Sequence, residues 1–351
     1  MINIFLEILF SLKYPLFVLL ISFFLISYYW EKISIIFDLK AYVNVQRAHK
    51  DEVSRLGGFF IYIFLLWVSI FVFIEQKFIF NIIISAIPFM LISIKEDLFH
   101  DTSPKNRLIF MILSCLIFFN LNPLEYPIIQ LPFLGQVIDF YPFNIIFFTF
   151  SVLVIMNGTN LIDGMNGLFG FSTLTQLIIL GFLAYAYGDY DFLKLITIIT
   201  IPLLMFLIFN FPFGKIFIGD CGCYLYGFFL SILIIAFFGK HTDLISWLAV
   251  LIVIYPSFEV LFSFFRKKFF SSIRVIDPDA NHIHTLQYKL NLKKESPNPN
   301  SYATVKLGYL FIWPLIASLL FSNNLHMVVY SILLFITCYL IHYIYLKTQL
   351  K

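Results

Sequence analysis

A chain of 351 residues that is 61% hydrophobic, 20% aromatic and only 12% charged, with a mean hydropathy of +0.92, lies outside the range of water-soluble domains. That composition excludes a soluble enzyme and predicts an all-α polytopic membrane protein, with residues 1–351 forming a single integral membrane domain. Apolar runs are matched against the roughly 20 residues that cross a bilayer. They predict helices near 4–30, 57–74, 78–94, 108–122, 142–156, 168–187, 192–210, 224–238, 243–265, 304–322 and 326–346, eleven in all. Glu7 and Lys13 lie near the start of the first run and no small-residue cleavage site follows it, so it is expected to be retained as a helix. Four scattered cysteines, two of them inside apolar runs, argue against a disulfide framework.

An odd number of helices puts the termini on opposite sides and divides the loops into two sets. One set, 31–56, 95–107, 157–167, 211–223, 266–306 and the tail after 346, holds 19 of the 23 Lys and Arg residues. That set is expected to be cytoplasmic, with the amino terminus outside and the carboxy terminus inside. The other connectors are short, apart from a proline-rich stretch from Pro123 to Tyr141 that reads as an external flap.

The polar motifs fall in the same basic set. Arg47, His49, Lys50 and Arg55 precede Gly57-Gly58 at a helix start, where cations beside open backbone amides suit a phosphate. Simple anchoring at a membrane surface explains the same residues. Glu96 and Asp97 stand side by side at a helix exit, an arrangement that raises one carboxyl pKa or holds a hard cation. Lys105 and Arg107 follow with the opposite charge for phosphate oxygens, although a solvated charge run accounts for this segment too. The stretch NGTNLIDGMNGL, Asn157 to Leu168, places Asn160, Asp163 and Asn166 among glycines between two apolar runs, where a polar loop must sit at a water boundary or line a cavity. A capped polar turn is the plainer reading. Asp220 lies between two glycines just before a helix, in apolar surroundings that sharpen its attraction for a cation. Phe217, three residues earlier, is placed to stack on a base or simply to pack. Beyond the basic run at Arg266 come Asp279, His282 and His284, the histidines suited to phosphate hydrogen bonds or, with a third ligand, to a metal. Glu259 is the main charge inside the helices.

Taken in order, RAHKDEVSRLGG, EDLFHDTSPKNRL, NGTNLIDGMNGL, GKIFIGDCGCYLYGF and PDANHIHTLQYK resemble the motifs of the polyprenyl-phosphate N-acetylhexosamine-1-phosphate transferases of glycosyltransferase family 4, in its surface-polysaccharide-initiating branch. The resemblance implies transfer of a UDP-linked amino-sugar 1-phosphate to undecaprenyl phosphate with release of UMP, at the bacterial cytoplasmic membrane. It implies Mg2+, with Mn2+ as a substitute, membrane lipid as surroundings, no nucleic-acid partner, and it admits a homodimer. By motif position Asp220, Asp97 and Asp163 resemble metal ligands, and Glu96, Asp97, Asp163, Asp220 and His282 catalytic positions. Arg47, His49, Lys50, Lys105, Arg107, Asn160, Asn166, Asn210, Lys215, Phe217 and His284 match substrate-contacting positions. Glu96 replaces the family's usual first Asp, Asn166 a second Asp, and Thr285 a third histidine. The last departure argues against the phospho-N-acetylmuramoyl-pentapeptide transferase branch. A lipid or ion transporter and a structural membrane subunit are the competing classes; transport would place ionisable groups near mid-membrane.

Overall fold

The computed structural model describes residues 2–36, 53–72, 77–130, 134–138, 140–270 and 279–351. Among these the regular structure is entirely helical, in chain order α1 (Ile2–Ser11), α2 (Lys13–Ile36), α3 (Gly57–Phe71), α4 (Lys77–Ser85), α5 (Ile87–Phe99), α6 (Pro104–Leu121), α7 (Leu134–Ile138), α8 (Phe143–Ile162) and α9 (Leu168–Ala186). Then follow α10 (Tyr190–Asn210), α11 (Gly219–Lys240), α12 (Ser246–Ile252), α13 (Ile254–Phe270), α14 (Ile283–Lys293), α15 (Pro299–Lys306), α16 (Tyr309–Phe321) and α17 (Leu325–Leu350).

Local chemistry sets several of these starts. Ser103 accepts the Asn106 N–H at 3.2 Å with Pro104 in the first turn of α6, Asp189 accepts from Phe192 at 3.2 Å to open α10, and Asn324 accepts from Met327 at 3.1 Å to open α17. Among the described residues eight helical segments are long and apolar enough to cross a membrane; the pairs α4–α5 and α12–α13, bent by 46° and 77°, pass the same test when each pair is taken together, and α3 is a shorter apolar helix. Every expected apolar run coincides with one of these. Large apolar side chains such as Phe24, Ile208, Leu320 and Ile341 are exposed on the outside, as in a polytopic membrane protein whose exterior faces lipid.

The axis of the bundle is α11, buried at every residue from Gly219 to Ile235. Two glycines make its close packing feasible: a Cβ on Gly58 of α3 would strike the backbone of Gly222, and one on Gly158 of α8 would strike the Pro256 carbonyl of α13.

The structure departs from expectation where polar residues meet helix ends. Helix α8 runs on to Ile162, so Asn157 and Asn160 lie on its last turns and only residues 163–167 form a loop. Similarly α11 starts at Gly219, which puts Asp220 in its first turn instead of before it. Composition mistook these turns for loops because a helix satisfies its own backbone, and its side chains here find partners on neighbouring helices. The first run is also divided, α1 from α2, at Leu12.

Candidate active site

Five separate pieces of chain meet at the first turn of α11. Asp97, on the last turns of α5, accepts the N–H groups of Asp220 and Cys221 at 2.8 and 2.9 Å, so one carboxylate satisfies two otherwise unpaired donors at a helix start. Gly219 allows this approach. Its φ is +72°, and a Cβ there would run into the Arg55 carbonyl and the Asp97 carboxyl. Arg55, just before α3, places Nε 3.4 Å from Asp97 and an η nitrogen 2.9 Å from Asp220. Arg107, on the first turn of α6, reaches the other Asp220 oxygen at 2.5 Å and lies 3.9 Å from Glu96. Asn160 of α8 donates to Asp220 at 3.0 Å. Glu96 accepts the N–H and hydroxyl of Thr102 at 3.0 and 2.6 Å through one oxygen, leaving the other turned toward Arg107. Asp97 and Asp220 are each 5% exposed, so these charges interact through protein instead of water, where both attraction and desolvation are large.

Asp163 caps the end of α8. It is partly accessible yet densely surrounded by protein, and has no ion pair among the described residues. Burial pushes its carboxyl up to about 8; Arg55 and the Cys223 thiol oppose this, and the negative charges of Asp220 and Asp97 add to it. Asp97, Asp163 and Asp220 are hard oxygen donors, a donor set whose chemistry fits a divalent cation such as Mg2+, whose charge would also favour the ionised form of Asp163. Among the described residues, however, no three metal-binding side chains stand around one point, and the guanidinium groups occupy both Asp220 oxygens.

The histidine segment packs against the same end. Asp279 pairs with Arg266 at 2.8 Å; although burial raises its pKa, the Arg266 hydrogen bond and the Asn281 N–H hold it below the ordinary carboxylate range. His282 and His284 stack with ring centres 5.5 Å apart and planes 7° apart. His284 is buried, its Nδ1 has no hydrogen-bond partner among the described residues, and burial, with the His282 charge, pushes its pKa down to about 4. Its ring lies directly over Gly164, the neighbour of Asp163.

The site therefore unites Glu96, Asp97, Arg107, Asn160 and Asp220, with Asp163 nearby and His282 and His284 on its flank. Other expected contacts are differently employed. The amides of Gly57 and Gly58, expected to be open to an anion, donate instead to the carbonyls of Phe217 and Ile218 at 3.1 and 2.8 Å. Those glycines serve packing against the loop before α11. Asn210 accepts from Gly167 at 2.6 Å and donates to Ile216 at 2.9 Å, while Asn166 donates to Pro212 at 3.0 Å and its N–H is bound by Asn300 at 2.7 Å. Both amide side chains hold loops together. Lys105 and Lys215 are exposed and Phe217 is half-buried. Arg47, His49 and Lys50 lie outside the described residues.

Arg55 was undervalued in the sequence, where it stood among cations suited to a phosphate or to membrane anchoring but not among the positions matched to site residues. Its position two residues before a helix start was the available signal. Glu259 was visible as a lone acid in an apolar run, but nothing local to it indicated that it binds His282.

Fold and site together define a polytopic helical membrane protein with a buried arginine–aspartate cluster at one end of its bundle. A family model described as glycosyl transferase family 4 matches residues 79–238. The chain is 30% identical over 184 residues to a phospho-N-acetylmuramoyl-pentapeptide-transferase of Streptococcus equi subsp. equi (strain 4047), covering 51% of this chain and 54% of that protein. It is 29% identical over 166 residues to a probable undecaprenyl-phosphate N-acetylglucosaminyl 1-phosphate transferase of Bacillus subtilis (strain 168), covering 46% and 45%. The match to the glycosyl transferase family 4 model takes in a little under half of the chain, and the chain spans about half the length of the curated relatives it matches.

Proposed function

We propose that this protein is a phosphoglycosyl transferase that moves the 1-phosphate of a UDP-linked N-acetylated amino sugar onto undecaprenyl phosphate and releases UMP. The setting is the cytoplasmic face of a bacterial inner membrane, and the product starts an O-antigen, capsule or other surface polysaccharide. The observation that carries this reading is the convergence of Arg55 and Arg107 on Asp220 at the end of an apolar bundle. Two planar guanidinium groups on one carboxylate are arranged to grip the paired oxygens of a diphosphate, and a lipid-bathed bundle gives a polyprenyl chain access to them. The excess of Lys and Arg on this set of loops supports the cytoplasmic orientation.

In the reaction an oxygen of undecaprenyl phosphate attacks the sugar-linked phosphorus, the bond from that phosphorus to UMP breaks, and UMP leaves with the bonding electrons. Arg55 and Arg107 hold the diphosphate oxygens and offset the charge that accumulates on them. Glu96 is better placed than Asp97 to accept a proton from the lipid phosphate, because both Asp97 oxygens are engaged by helix amides while one Glu96 oxygen has no hydrogen bond among the described residues. Asp220, Asp97 and Asp163 would hold Mg2+, which supplies neutralisation of phosphate charge when bound.

Purified protein with undecaprenyl phosphate and Mg2+ should release UMP from UDP-GlcNAc or UDP-GalNAc and lose that activity in EDTA. No UMP from any donor would overturn the reading. A second donor, UDP-N-acetylmuramoyl-pentapeptide, belongs in the same screen, because the relatives at 30 and 34% identity carry the name of the enzyme that uses that muramoyl-pentapeptide.

A further inference from the structure

Glu259 is 1% exposed, on an apolar stretch of α13, and both its oxygens are used. One lies 2.9 Å from Nδ1 of His282; the other accepts the hydroxyl of Tyr339, from α17, at 2.7 Å. Tyr339 is itself fully buried and is packed edge-on by Phe258 and Phe262 of α13. A buried carboxylate is costly unless each oxygen is partnered, and here the two partners come from two different parts of the chain.

The other nitrogen of His282 is disposed quite differently. Nε2 makes no hydrogen bond among the described residues; its nearest charged neighbour is Asp279, 3.9 Å away and already paired with Arg266. The ring is further fixed by its parallel stack on His284, which rests on Gly164 beside Asp163. Rotation of the imidazole is thus opposed on one edge by Glu259 and on one face by His284.

We propose that Glu259 is a positioning residue for His282. It fixes the proton on Nδ1 and leaves Nε2 as the nitrogen that meets a substrate phosphate oxygen, with Tyr339 keeping the carboxylate in register. The contact of Nε2 with substrate rests on the transferase reading; the orientation of the ring does not. A merely structural tie between α13 and α17 would use the same hydrogen bonds, so the test must separate the two.

Glu259→Gln keeps size and shape but removes the charge. It is expected to lower kcat for UMP release about ten- to a hundredfold, with KM for the UDP-sugar changed less than about twofold, the split expected when an interaction acts in the transition state. Placed on a His282→Asn background, the same change should lower the residual rate less than about twofold, because its route of action is gone. An equal loss on both backgrounds, or an unchanged kcat in the single variant, overturns the proposal. A readout without turnover is the 15N spectrum of labelled histidine in detergent-solubilised wild type: protonated Nδ1 on His282 supports it and unprotonated Nδ1 overturns it. Wild-type protein that releases no UMP would sink the transferase reading and leave this spectral test standing.

Discussion

The carboxylate of Asp97 accepts the backbone N–H groups of Asp220 and Cys221 at 2.8 and 2.9 Å, so one acid of the cluster builds the helix end on which another acid is displayed. Asp97→Asn keeps an acceptor but loses the charge, and should cost about 1 kcal/mol of stability. Asp97→Ala also strips Arg55 of a partner and should cost about 2–3 kcal/mol. Thermal unfolding in detergent should rank wild type above Asn above Ala; an alanine variant that melts with wild type would remove the capping role.

Asp220 carries a different expectation, because it engages two arginines and Asn160 at once. Asp220→Asn should reduce UMP release by at least about a hundredfold and also lower the melting temperature, since two part-buried cations each lose one of their acidic partners. Arg55→Lys should be milder in stability yet still impair turnover, as an ammonium group does not bridge Asp97 and Asp220 with a planar fork. Wild-type rates in both variants would dissolve the proposed centre.

Gly58→Ala tests the close approach of α3 to α11. The added methyl would meet the backbone of Gly222, which has no side chain to rotate away. The expected cost is about 3 kcal/mol or more, seen as reduced yield of folded protein in detergent, whereas alanine at Gly188, with nothing within 4 Å of the added atom, meets no such obstacle, although its φ of +69° adds some strain.

The buried His284 gives a pH dependence of definite sign. Its folded pKa, about 4, is below the ordinary histidine value of 6.5, so the unfolded chain takes up a proton first as pH falls. Stability is therefore fully present above about pH 6.5 and declines toward pH 4 with a slope of about 1.4 kcal/mol per pH unit from this group. Unfolding measured against pH should show a shallower slope over that interval in His284→Gln, and an unchanged slope would refute the assignment.

At the opposite end of the bundle Asp189 opens α10 and accepts Lys240 at 2.7 Å. Burial works against its ionised form, but the hydrogen bonds from Lys240, the Phe192 N–H and His241 outweigh it and lower the pKa. This stabilisation is present above the ordinary carboxylate value and is lost as pH falls through the lower folded value. Asp189→Asn should accordingly melt below wild type at pH 7, with the difference closing in strong acid.

Much of this arrangement was legible in the sequence. Each expected apolar run falls on a helix or a bent helix pair among the described residues, since hydrocarbon imposes a length and leaves little room for other solutions. Asp97, Arg107, Asn160 and Asp220 were recognisable because charged and amide groups at the ends of such runs are conspicuous. What the chain did not disclose was partnership. Asn166 and Asn210 look like ligand contacts in one dimension, yet they spend their amides on Pro212, Ile216 and Gly167, because loops crowded at a helix end leave carbonyls and N–H groups that something must satisfy. Arg55 read as one of four cations suited to a phosphate or to anchoring; its bridge between Asp97 and Asp220 spans separations of 42 and 165 positions in the chain, and no local pattern encodes that.

Because α11 is enclosed along nearly its whole length, lipid tails never touch the segment that presents Asp220. Outer helices such as α2 take the stresses of a changing bilayer, and those stresses reach the reactive end only after being spread through several layers of packed side chains. A protein built in this way keeps its chemistry insulated from its solvent, and exchanging membrane for micelle should disturb its rim long before its centre.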